Sequence, residues 1–206
     1  MFVIVAIQVW AEIIFAVQNN VEIAFGMDDF GLFLAAQKNI FLAYFALREN
    51  PKLVEQAGGY THTDIKDIFD KLIRPDLEHN IFAGQFLALA DAVFSPRGSA
   101  EEEKLLSCVN NLKDALKEPA VCEEHQQSRE RSYYTNAVQA NYYLWLKRSA
   151  ELAEAKTDDD KKAIQADMDR FKAELRELTT SELGTTKRPL GPRFMFEEIL
   201  VEKILK

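Results

Sequence analysis

The opening of this chain limits what it can fold into more than any other part. Two apolar segments, MFVIVAIQVWAEIIFAVQNNVEIAF (Met1–Phe25) and FGLFLAAQKNIFLAYFAL (Phe30–Leu47), are joined by Gly26, Met27, Asp28 and Asp29. Read as a helix, the first segment sets Gln8, Glu12, Asn19 and Glu22 along one narrow strip and leaves nearly all the rest apolar. A surface helix needs an apolar stripe over only part of its circumference; one that is greasy over most of it belongs in a core or in lipid. The second segment is broken only by Gln37, Lys38 and Asn39. Phe2–Val9 is rich in β-branched residues and also suits a strand, but the length and the polar strip favour helix.

Three surroundings would satisfy this pair: the chain's own later helices, a protein partner, or a bilayer. Each segment is close to the ~20 residues that span a membrane. Lys38 falls in the middle of the second, where a cation costs ~3 kcal/mol even on lenient scales. An antiparallel hairpin does not bring Glu12 to its rescue, because the two miss each other by roughly 7–8 Å along the helical rise. No cluster of Lys or Arg flanks either segment to set an orientation. Cover by protein is therefore expected, and insertion of residues 1–48 into a membrane is the less favoured alternative.

The net charge of −8 argues against a nucleic-acid backbone or an anionic lipid surface as the main partner, and no basic run is longer than a pair such as Lys187-Arg188. Two cysteines, Cys108 and Cys122, are too few for a disulfide scaffold and suit a reducing compartment. The apolar start lacks the basic residues of a secretory signal and is interrupted by Glu12, so a cytoplasmic location is expected. Charged residues are 19 of the first 97 and 39 of the remaining 109, so the first part reads as core and the second as solvated helices.

Along the chain, Asn50-Pro51 ends the second segment, and Gly58-Gly59-Tyr60 is a loop. Thr61-His62-Thr63-Asp64 approximates a capping box. It opens a helix that buries Ile65, Ile68, Phe69, Leu72 and Ile73. Pro75 breaks it and starts the next helix, which runs to about Phe94 and buries Leu77, Ile81, Phe82, Leu89 and Val93. Ser99-Ala100-Glu101-Glu102 is a second capping box, for a helix carrying Leu105, Leu106, Val109, Leu112 and Leu116. Pro119 is placed to start another. Glu123 to Lys156 lacks Gly and Pro and reads as one long helix. After Thr157-Asp158-Asp159-Asp160, Ile164, Met168, Phe171, Leu175 and Leu178 form a heptad seam. Residues 123–183 thus form a long antiparallel hairpin ending near Gly184. A linker from Thr185 to Arg193 leads to a last helix with Phe196, Ile199, Leu200 and Ile204 on one face.

Arg74-Pro75-Asp76-Leu77-Glu78-His79 resembles the Arg-x4-His signature of HEPN ribonucleases, helical dimers in which arginine and histidine act on RNA. The resemblance covers six residues, departs from the family at Pro75, and implies Arg74 and His79 as catalytic residues of an alternative, enzymatic reading. Asp76-x-x-His79 is half of a carboxylate-bridged metal motif whose second half is missing. Cys122-x-x-His125 with Cys108 or His62 fits no common zinc spacing and reads as two small buried thiols and an exposed histidine. No metal and no cofactor are expected. Tyr133-Tyr134, Tyr142-Tyr143 and Trp145, among Arg129, Arg131, Lys147 and Arg148, would suit base stacking. In so acidic a chain they read instead as hairpin packing, with a border that meets a protein partner. A Gly-rich phosphate loop, a Gly-x-Ser-x-Gly elbow and a His-Glu-x-x-His motif are all absent from the sequence.

The expected fold is all-α, a multi-helix bundle of about seven helices with a long antiparallel hairpin and a short C-terminal helix. Residues 1–118 are expected to form the core, 119–184 the hairpin, and 185–206 the linker and a docking helix. The expected function is that of a non-catalytic interaction or scaffold protein, self-associating or a subunit of a larger assembly. Its expected contact residues are Tyr133, Tyr142, Trp145, Phe194, Phe196, Ile199, Leu200 and Ile204.

Overall fold

The computed structural model describes residues 40–79, 83–181, 183 and 196–206, with backbone alone at 196–199. The chain is an all-α multi-helix bundle with no strand among the described residues. It divides into two units between Leu87 and Ala88, inside a helix at Gly84–Phe94.

In the first unit, α1 occupies residues 40–49 and is followed by a single turn, α2, at Leu53–Gln56. Next come α3 (His62–Ile68), a π-helical turn (Phe69–Ile73), α4 (Arg74–Glu78) and the start of α5 (Gly84–Phe94). The described end of the second apolar segment is buried on almost every side: Ile40, Phe41, Ala43, Tyr44, Phe45 and Leu47 are all in the core. Phe41, Phe69 and Phe86 form an aromatic triangle with ring centroids 5.4–6.2 Å apart. Residues 1–39, including Glu12 and Lys38, lie outside the described residues.

Thr61 caps α3 as its sequence implies. Its side chain accepts from the Asp64 N–H at 3.3 Å, and the Asp64 carboxylate accepts from the Thr61 N–H at 2.9 Å. Pro75 stands in the first turn of α4, as its sequence implies, but it does not break the helix before it. The chain widens into a π turn instead, closed by the Arg74 N–H donating to the Phe69 carbonyl, five residues back. A proline ring collides with the carbonyl four residues before it, and a wider turn is one way to admit it. The same turn changes which side chains are buried. Ile65, Phe69, Ile73 and Leu77, every fourth residue, stay inside, a spacing that drifts around an ordinary α-helix. Leu72 is thereby turned out, at 37% exposure, contrary to the expectation from periodicity. The helix expected to run unbroken to Phe94 instead ends at Glu78 and resumes at Gly84; Ile81 and Phe82 are outside the described residues.

The second unit contains the end of α5, α6 (Ala100–Ala115), α7 (Glu123–Glu154), α8 (Asp158–Thr180) and α9 (Phe196–Leu205). The long helix α7 packs antiparallel on α8 across a short turn in which Thr157 caps the second helix by accepting from the Asp160 N–H at 3.2 Å. The buried residues of α8 are Ile164, Met168, Phe171, Leu175 and Leu178, the seam read from the sequence. The helix α6 packs on α7 and so belongs with the hairpin in this unit. Pro119 starts no helix; it lies in the turn before Glu123. Arg129 reaches back to the carbonyls of Ala115 and Glu118, both at 3.1 Å, satisfying backbone left open where α6 ends.

Candidate functional site

Among the described residues, the densest gathering of buried ionisable side chains lies where α5 hands over to α6 and both meet the hairpin. The sequence assigns Glu102 the reciprocal bond of a capping box, to the N–H of Ser99. In the structure that N–H donates to the Pro96 carbonyl, and Glu102 turns inward to 4% exposure. Its carboxylate takes a two-pronged contact from Arg148, with Nη1 2.9 Å from Oε1 and Nη2 2.7 Å from Oε2. Lys147 Nζ is 2.6 Å from Oε1, and the Gly98 N–H donates to Oε2 at 2.9 Å. A carboxylate has about four acceptor directions, and all are engaged here.

The two cations are as fully committed. Lys147 Nζ also donates to the carbonyls of Ala92 and Pro96, at 2.7 and 3.4 Å. Arg148 donates from Nε to Asp167 at 2.8 Å and from Nη1 to Glu151 at 3.0 Å, and its guanidinium lies 6.0 Å from the Phe171 ring centroid. The cluster also suits the helix ends. Lys147 places a cation at the carbonyl end of α5, and Glu102 places an anion in the first turn of α6, each opposite the local partial charge. One cluster thus ties α5, α6, α7 and α8 together.

Burial by itself would raise the Glu102 carboxyl, but hydrogen bonds from Arg148, Lys147 and Gly98 outweigh it and hold the pKa down to about 2. Burial pushes Lys147 down, only partly offset by Glu102. Burial would lower Arg148 too, but its bonds to Glu102 and Asp167 hold it above its ordinary value. A carboxyl depressed in the folded state contributes stability that is complete above its unfolded pKa and lost as pH falls toward the folded one. For Glu102 that window runs from its ordinary 4.5 down to about 2. Acid titration followed by circular dichroism is expected to show a loss on the order of 3 kcal/mol across it, absent from a variant lacking this carboxyl.

Chemically, the arrangement is closed. Lys147 and Arg148 are at 0% and 3% exposure, and their donors face protein acceptors already in place. Such a cluster acts as a clamp. Its signal was present in the sequence: Lys147 follows Tyr143 and Leu144 by four and three residues, which puts it on the buried face of α7. What the sequence does not show is its partner, 45 residues away.

The other singled-out residues are placed as follows. Tyr133 and Tyr142 are buried at 6% and 4% exposure, Trp145 is half-buried, and Tyr142 meets the Tyr143 ring edge-on at 5.2 Å. The two tyrosines are therefore packed within the chain and offer no open border. The helix α9 packs on α7 and α8 of its own chain, with Val201 fully buried and Leu200 and Ile204 half-buried. Phe196 and Ile199 lie on this helix, and Phe194 falls outside the described residues. Arg74 donates to Asp70 at 3.1 Å and lies over the Phe69 ring, while His79 is exposed at the end of α4. Cys108 and Cys122 are both exposed, correcting the reading of buried thiols. Cys108 lies off the stripe formed by Leu105 and Val109, and Cys122 sits in the turn preceding α7. His125 is half-buried rather than exposed, its Nδ1 accepting from the Val121 N–H at 3.5 Å.

Among the described residues no His, Cys, Asp and Glu group is arranged to hold a metal ion, and no helix is long and apolar enough to cross a membrane. Comparison with family models, curated proteins and solved structures finds no match to this chain.

Proposed function

We propose that this chain is a non-catalytic helical interaction or scaffold protein, one that self-associates or serves as a subunit of a larger protein assembly. The observation that carries the proposal is the sequence of residues 1–25, which, read as a helix, is apolar over more of its circumference than a water-facing helix sustains. The closed charge cluster supports it: the residues best equipped for chemistry are engaged in joining helices. The position of α9 moves the expected contact surface. With this helix seated on its own hairpin and Tyr133 and Tyr142 buried, the partner-facing role falls to the N-terminal segment.

Light scattering coupled to size exclusion on the full chain tests this. A dimer or larger species is expected, reverting toward monomer in a Trp10→Glu/Ile14→Glu variant that interrupts the apolar face. A wild-type chain that is cleanly monomeric and stays in solution without a partner overturns the proposal. Retention in the membrane pellet after alkaline carbonate extraction overturns it in favour of insertion through residues 1–48.

A further inference from the structure

We draw no further inference here: the strongest candidate, the surface patch of half-buried Ile68 and exposed Leu72 on α3 and the π turn, carries no proposal, since nothing in the structure shows what covers it.

Discussion

Glu102→Gln is expected to destabilise the chain by about 3–5 kcal/mol, because it leaves buried cations without their counter-charge. The change is nearly isosteric, so the loss reports on electrostatics rather than on a cavity. A glutamine keeps one acceptor oxygen but presents an NH₂ where the carboxylate received either Lys147 and Arg148 at 2.6 and 2.9 Å, or Arg148 and Gly98 at 2.7 and 2.9 Å. In either amide orientation donors face donors. Urea denaturation gives the value directly. Replacing the trio together, Glu102→Leu with Lys147→Met and Arg148→Leu, is expected to recover most of it, since a well-packed apolar set is often as stable as a buried ion cluster. A single variant that loses less than about 1 kcal/mol would show that water reaches the cluster and that its charges are not truly buried.

Phe171→Ala is expected to cost a similar amount, about 3–5 kcal/mol, for a different reason. The ring is 1% exposed at the centre of the α8 seam and has two guanidiniums over it, Arg148 at 6.0 Å and Arg170 at 4.6 Å from its centroid. Truncation removes both the ring's packing and the surface against which Arg148 is held. The loss is therefore expected to be non-additive with Arg148→Met by about 0.5 kcal/mol or more in a double-mutant cycle. Leu72→Ala, at a side chain the π turn leaves partly outside, serves as the contrast and is expected to stay within about 0.5 kcal/mol. Were the two substitutions to cost the same, the seam would not be the core of its unit.

The sequence made the helical architecture legible where local chemistry decides it. Thr61, Ser99 and Thr157 each precede a helix and accept an N–H of its first turn, and a hydroxyl three residues ahead of an acidic residue is enough to read that. The five buried residues of α8 were legible because a heptad pattern on one side of a helix is a one-dimensional signal. Leu72 was misplaced because periodicity assumes a constant turn, and Pro75 widens the one before it. The cysteines were misjudged from residue type alone, when their positions off the buried stripe and in a turn decide their exposure. The clamp was out of reach for a deeper reason. The sequence around Glu102 is that of a helix start and the sequence around Lys147 and Arg148 that of a basic flank; only tertiary packing makes them one object.

The clamp has a consequence for how the hairpin finds its alignment. A heptad seam resembles itself after seven residues: Ile164 is replaced by Phe171, Phe171 by Leu178, and Met168 by Leu175, all apolar. Greasy contacts alone would tolerate such a slip. The ions would not, because displacing α7 by one heptad carries Arg148 about 10 Å from Glu102 and Asp167 and strands unlike charges in the interior. The chain therefore carries a proofreading element against its own pseudo-repeat, and the apolar triple variant, though stable, is expected to populate shifted pairings that cysteine cross-linking along the two helices would reveal.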